Sequence, residues 1–413
     1  MAMQTTARAS ISVPCTAGPV SLPRRGTPSA RSVMRREFAG KALLRSRAAS
    51  RVGPARRMVT TTATATDPKV DAINVENLLW VESLAAEMEE VRENRRVVYG
   101  QPEWRKHRSG ARYARNLQTF FVSGVLKGLL PATALCTLFA AGICGVNAYQ
   151  AEMGEAALTV PMTPFSLSTS ALSLLLVFRT NSSYDRWWEA RKIWGGLLNR
   201  SRDFVRQGLS WFDEEDNSLK AQLVRYTVAF AYSLKVHLRS DTEDMEKALT
   251  PILKPEELEA ALANVHVPNH ILRVIAGIVR KANLDPIQTT QMDENITFFH
   301  DVLGKCERIL KTPIPLSYTR HTSRFLFAWL LLLPIALYDK CGLLTIPAEV
   351  FVCLALMGIE DIGVQIEEPF SVLSCEAICG SVQANTTSVL DMQARDEGLI
   401  KPSVRSSKTI ANV

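Results

Sequence analysis

The sequence predicts an all-α membrane protein in which four transmembrane helices form two hairpins, with a soluble helical domain between them. Three observations predict this fold. Two charge-free segments follow each other between residues 128 and 178, a second apolar pair lies between residues 325 and 359, and the stretch between the pairs is polar with a helical period. A helix needs about 20 apolar residues to cross a bilayer, and the first pair supplies them.

The first region, residues 1–66, is predicted to be an organelle transit peptide, of which about 60 residues are removed on import. It contains twelve lysines and arginines but a single acidic residue, and it is rich in serine, threonine and alanine. The remaining residues carry 36 basic and 40 acidic side chains, so the net charge of +7 comes from this region and does not indicate a nucleic-acid-binding protein. A disordered basic tail is the alternative, and composition does not distinguish a chloroplast from a mitochondrial destination.

Residues 67–117 are expected to form a helical segment on the soluble side, and residues 118–195 the first transmembrane hairpin. The charge-free runs are Gly128–Ala151 and 156–178. Pro164 suits the first turn of the second helix, because its missing N–H would have no partner there.

The charges around this hairpin predict its orientation. Basic residues are frequent before the first span and after the second, whereas the loop between the spans carries Glu152 and Glu155. By the positive-inside rule, both chain termini and the middle domain lie on the basic side of the membrane.

Residues 196–319 are expected to form the soluble helical domain. One helix face is indicated by apolar positions three or four residues apart, namely Leu223, Thr227, Phe230, Leu234 and Leu238. Asp285 followed by Pro286 is a typical helix start, and Thr312 followed by Pro313 is a typical end.

Residues 320–375 are expected to form the second hairpin, and residues 376–413 a polar C-terminal tail that is mobile from Ser381. The apolar run 325–338 has only fourteen residues, so a buried soluble hairpin is an alternative. Two spans are favoured because the Asp339–Lys340 turn is short and Arg324 can extend its charged end to the interface.

The sequence contains no recognisable catalytic or cofactor motif. The eight cysteines include no CxxC pair and the six histidines no HExxH motif, and neither a phosphate-binding loop nor a nucleophile elbow is present. We therefore expect buried structural cysteines, no cofactor, no metal and no enzymatic activity.

Three motifs in order carry a resemblance to a known family. They are FRTNSSYDRWWEARKIWG at 178–195, TPIPLSYT at 312–319 and GIEDIGVQIEEPF at 358–370. Together they resemble the bestrophin anion channels, especially the bacterial and plant chloroplast branch. The resemblance implies a homopentamer whose axial pore conducts chloride, bicarbonate or other small anions and is lined by the second span.

The same resemblance implies roles for particular residues. A hydrophobic neck falls at Ser170, Leu174 and Phe178, where a serine replaces a larger apolar residue at the first position. The soluble-side aperture falls at Ile314. Anion contacts at the pore entrance are expected from Pro164, Ser166 and Arg179, because hydroxyl groups and a helix N-terminus can replace part of the hydration of an anion.

The acidic residues Glu360, Asp361, Glu367 and Glu368 are weak candidates for a calcium site, because apolar residues interrupt the run. Glu349, within the fourth span, is a further functional candidate. An ion-coupled anion carrier and a non-conducting scaffold are the alternative functions. The expected location is the thylakoid membrane with both termini in the stroma, or else the chloroplast envelope.

Overall fold

A computed structural model describes residues 96–120, 124–213, 215–239 and 243–396. The expected transit peptide, the following residues to 95 and the last residues from 397 lie outside the described part. Within the described ranges all regular structure is helical, in agreement with the predicted all-α fold.

The chain enters the apolar region through two short helices, α1 (Gln101–Arg108) and α2 (Arg112–Phe120), and then forms α3 (Gly124–Met153). The side chain of Asn147 in α3 organises the loop that follows, since it accepts a hydrogen bond from the backbone N–H of Leu158 at 2.6 Å.

Helix α4 (Thr163–Trp211) is continuous over 49 residues, or about 74 Å. Its first part, up to Phe178, carries no charged residue, whereas its last part is buried among the helices that follow. The predicted boundary at residue 195 is therefore not a break in the chain, because a single helix joins the two regions. This continuous helix connects the charge-free segment directly to the middle helical domain.

The middle helical domain contains α5 (Asn217–Leu238), α6 (Met245–Leu249), α7 (Pro255–Leu262), α8 (Val267–Lys281) and α9 (Pro286–Lys311). All five positions of the predicted α5 face are buried. The centre of the core is aromatic: the Phe299 ring lies 5.6 Å from Phe204, edge to face, and 5.5 Å from Phe230. The predicted N-cap of α9 is confirmed, because Asp285 accepts from the N–H of Ile287 at 2.7 Å.

A second helical pair follows, α10 (Leu316–Cys341) and α11 (Thr345–Glu367), joined by a 3₁₀ turn at Gly342–Leu344. Gly342 adopts φ +54°, a left-handed conformation that glycine allows at low cost. Both helices are longer than the apolar runs that predicted them, because polar residues extend each helix at its ends.

Two described segments are long and apolar enough to cross a membrane, Leu126–Met153 and Leu316–Glu367, and the latter contains both α10 and α11. The first part of α4 does not meet this criterion by itself, because serines and threonines alternate with its leucines. The presence of four transmembrane helices therefore stays a prediction.

The C-terminal region differs from the expected tail. Residues 375–396 form α12 (Cys375–Asp396), which packs against α4 and α5. Its buried stripe consists of small and apolar residues three or four positions apart, namely Cys375, Ile378, Cys379, Val382 and Thr386. The prediction of a polar tail from residue 376, mobile from Ser381, is wrong for this segment, because its polar composition belongs to the outer face of a packed helix.

Candidate functional site along helix α4

The first part of α4 has one covered face and one uncovered face. Leu172 and Leu176 are 2% and 3% exposed and share a core with Cys136 of α3, with Leu326 and Leu330 of α10, and with residues of α11. Helix α4 thus packs on α10 and α11 through these leucines. The opposite face is not covered by any described part of the chain.

The predicted pore residues lie on the uncovered face. Pro164, Ser166 and Ser170 are exposed, and Leu174 and Phe178 are each 53% exposed. Positions four apart in a helix differ by about 40° in direction, so the series forms a slowly winding stripe. We call Ser166, Ser170, Leu174 and Phe178 the α4 stripe.

The α4 stripe changes from polar to apolar along the helix. The hydroxyl groups of Ser166 and Ser170 donate to the backbone carbonyls of Met162 and Leu167, at 3.2 and 3.3 Å. Both oxygens remain at the surface, and rotation of the O–H groups would direct a donor outward. No side chain caps the start of α4, where the backbone dipole is positive. This end of the helix can therefore stabilise an anion, whereas Leu174 and Phe178 cannot.

Arg179, for which the sequence predicts an anion contact, does not lie on the α4 stripe. Its side chain is buried, donates to Ser323 Oγ at 3.0 Å and forms an ion pair with the carboxylate of Glu360. The reason is helical periodicity: position 179 follows Leu172 and Leu176 by seven and three residues, which puts it on the covered face. Arg179 therefore joins α4 to α10 and α11.

Ile314 is also covered within the chain. It lies between α9 and α10, is 8% exposed, and its N–H donates to Glu367 Oε1 at 3.1 Å. Ile314 is thus held by the end of α11. Its role as the soluble-side aperture stays a prediction.

Arg186 is a structural residue that the sequence did not single out. Its guanidinium donates to three backbone carbonyls, those of Ile309 at 2.6 Å, Thr312 at 2.6 Å and Glu367 at 2.9 Å. These carbonyls end α9 and α11, where helix dipoles are negative. Since the partners are more than 120 positions away, no local pattern could have indicated this role.

The four acidic residues proposed as a weak calcium site do not form an oxygen cage. Glu360 is paired with Arg179, and Asp361 accepts from the side chain of Gln365. Glu367 binds the N–H of Ile314, and Glu368 binds the N–H of Phe370 at 2.8 Å. Each carboxylate thus stabilises the local fold.

Two other groups in the described part of the chain bring three potential metal ligands within 4.8 Å of one another. One is Cys136, Glu349 and Cys353, which is completely buried between α3 and α11. Cys353 Sγ lies 3.1 Å from Glu349 Oε1, while Glu349 Oε2 has no hydrogen-bond partner. The second group is His237, His266 and Glu307 in the middle helical domain.

Comparison with known proteins gives one consistent answer. The family model described as "Bacterial/Fungal Bestrophin protein" matches residues 103–388. The chloroplastic voltage-dependent chloride channel 1 of Arabidopsis thaliana is 33% identical over 326 residues, which cover 78% of this chain and 76% of that protein. A voltage-dependent anion channel-forming protein of Nostoc sp. is 32% identical over 274 residues, covering 63% of this chain and 86% of that protein.

Solved structures agree with the sequence relatives. A bacterial bestrophin homologue from Klebsiella pneumoniae superimposes with a TM-score of 0.58 and 28% sequence identity. The match covers 65% of this chain and 99% of that chain.

Proposed function

Since the chain belongs to the bestrophin family, we propose that it forms an anion channel that conducts chloride, bicarbonate or both passively across a chloroplast membrane. The observation that carries this proposal is the α4 stripe, which is uncovered in the single chain and changes from hydroxyl-bearing to apolar along one helix.

A pore requires the α4 stripes of several copies to face one another. A single chain uses the buried face of α4 to pack on α10 and α11, so only the uncovered face is available for a central axis. We propose a homopentamer with α4 nearest the axis, as implied by the family. Its partners are then membrane lipid, small anions and four further copies of this chain.

Conduction through such a ring follows from the order of the side chains. The N-terminus of α4 and the hydroxyl groups of Ser166 and Ser170 replace part of the hydration shell of an entering anion. Leu174 and Phe178 offer no such replacement. Rings of these residues therefore form a neck that impedes the passage of ions when it contains little water. The neck is proposed to be the main barrier.

The exposed polar groups beyond the neck are uncharged. Because Arg179 is turned away, the next exposed residues on α4 are Asn181 and Ser182. The Ser182 hydroxyl donates to the Phe178 carbonyl at 2.9 Å, which puts a hydroxyl one turn after the ring. An anion that leaves the neck is therefore rehydrated near neutral donors and not at a basic ring.

The membrane location is proposed on the charge distribution and on the relatives. The basic segment 1–66 has the composition of a transit peptide, and the two Arabidopsis relatives are described as chloroplastic. We propose the thylakoid membrane with both termini in the stroma, and the chloroplast envelope is the alternative.

Recordings from purified protein in planar bilayers test the function. With a chloride gradient across the bilayer, an anion channel gives a reversal potential near the chloride equilibrium potential, and substitution of bicarbonate measures their relative permeability. A coupled carrier would give flux that saturates and needs a second ion, and a scaffold would give no current. Either result would overturn the proposal.

A further inference from the structure

Three side chains in the middle helical domain meet at a point that the proposed pore does not use. His237 lies near the end of α5, His266 precedes α8, and Glu307 lies in the last part of α9. His237 Nε2 is 2.8 Å and His266 Nε2 is 3.1 Å from the same oxygen, Glu307 Oε1. The two imidazole rings lie 4.6 Å apart, centroid to centroid.

These distances are close to those of a coordinated metal ion. Ligand atoms about 2.0–2.1 Å from a tetrahedral zinc ion are about 3.3 Å from one another. The two N–O separations of 2.8 and 3.1 Å need to increase by about 0.2–0.5 Å to reach this value. All three ligand atoms lie within 4.8 Å of one another. Because the ligands come from three different elements, the folded domain already holds them together before binding.

The site is accessible from solvent. The side chains of His237, His266 and Glu307 are 25%, 38% and 24% exposed. Lys311 Nζ lies 3.4 Å from Glu307 Oε1, but its side chain is 68% exposed and free to rotate into water. An entering cation thus competes with one exposed ammonium group, and the surrounding solvent can supply a water molecule as a fourth ligand.

We propose that His237, His266 and Glu307 form a binding site for a divalent transition-metal ion of borderline softness, for which Zn²⁺ is the natural probe. Two imidazoles and one carboxylate are a common zinc ligand set, whereas Ca²⁺ and Mg²⁺ prefer oxygen ligands alone. The bound ion joins the end of α5 to the start of α8 and to α9. It stabilises the folded domain because it binds the folded chain and not the unfolded chain.

Binding has one identifiable cost. His266 Nδ1 accepts a hydrogen bond from the backbone N–H of Asn269 at 3.3 Å and so caps α8, which assigns the proton to Nε2. Coordination through Nε2 moves that proton to Nδ1 and breaks this long capping bond. The affinity is therefore reduced by the loss of one weak hydrogen bond, but the site is not abolished.

Zinc binding to the full-length protein in detergent tests the proposal by calorimetry and by the unfolding temperature. We expect one site per chain, an unfolding temperature that rises with zinc concentration, and the strong visible absorption of tetrahedral Co²⁺ when cobalt is used. His237→Gln and Glu307→Gln should each weaken zinc binding by at least about 100-fold, since removal of outer-shell partners alone costs 10–100-fold.

His270→Gln is the matched control. His270 lies on α8, one turn after His266, and is partly exposed but outside the cluster. The His270→Gln protein should bind zinc as tightly as the unsubstituted protein. Absence of binding, equal loss in His270→Gln, or retained stoichiometric binding in the His237→Gln and Glu307→Gln proteins would overturn the assignment. Since none of these measurements uses current, they are independent of the channel proposal.

Discussion

The buried ion pair between Arg179 and Glu360 predicts that Arg179→Ala lowers stability and does not act on permeation. The side chains are 5% and 19% exposed, and Ser323 Oγ bonds both of them, at 3.0 Å from Arg179 and 2.6 Å from Glu360. Removing one member of a buried pair leaves the other charge without compensation, which costs about 3–5 kcal/mol. Partial exposure of Glu360 places the expected loss near 3 kcal/mol.

A double-mutant cycle isolates this interaction. Arg179→Met and Glu360→Gln should each lower the free energy of unfolding by about 3 kcal/mol, whereas the double variant should lose much less than their sum, because no charge remains buried. The assay is denaturant unfolding in detergent followed by tryptophan fluorescence. Arg206 and Asp203, an exposed pair on the same helix at 2.8 Å, provide the control. Arg206→Ala should cost at most about 1 kcal/mol.

Two results would refute this reasoning. Additive losses in the double variant would mean that the two residues do not stabilise each other. A stable Arg179→Ala protein with reduced anion conductance would return Arg179 to the permeation path, against its buried position.

Two further predictions concern the neck and the response to pH. Phe178→Ala should increase unit conductance with anion selectivity kept, whereas Leu135→Ala on α3, which is also 53% exposed, should leave single-channel currents unchanged. Equal currents from the Phe178→Ala and unsubstituted channels would remove the neck assignment. Burial by itself raises the pKa of Glu376, but the contacts with Arg239 and Arg96 lower it by more. The pKa of Glu376 therefore lies below the ordinary 4.5. The stability that this carboxylate contributes is present above about pH 4.5 and is lost as the pH falls below that value. Glu376→Gln should therefore reduce the difference in unfolding midpoint between pH 7 and pH 3.5. An unchanged difference in unfolding midpoint between the two pH values would contradict this prediction.

The parts of the fold that could be predicted from sequence are those set by local rules. The start of α9 depends on Asp285 and Pro286, which act within one turn. The buried face of α5 follows from apolar residues at helical spacing around Phe230. Both predictions needed no knowledge of distant residues, and both are confirmed.

Average composition and helical phase give different predictions for two parts of the chain. The average composition of residues 376–396 predicts a polar tail, although Cys375, Cys379 and Val382 have the spacing of a buried helix face. Arg179 shares helical phase with the buried residues Leu172 and Leu176. Its partner Glu360 is 181 positions away, so only the folded chain reveals the pair.

Part of the candidate site could be predicted from helical spacing. The spacing of Ser170, Leu174 and Phe178 required a common helix side, and exposure of all three agrees with it. A single chain does not distinguish a face that lines a pore from a face that meets lipid or a neighbouring copy. That distinction depends on assembly, which the sequence of one chain does not encode locally.

Accessibility of the α4 stripe to a charged thiol reagent tests the central claim most directly. In bilayer recordings, a Ser170→Cys channel should lose current irreversibly when an anionic methanethiosulfonate is added, because the cysteine faces the ion path. A Leu135→Cys channel labelled under the same conditions should keep its current. Six of the seven described native cysteines are buried, which limits background labelling. Full current in Ser170→Cys protein whose modification is verified by mass would contradict the assignment of α4 as the pore-lining helix.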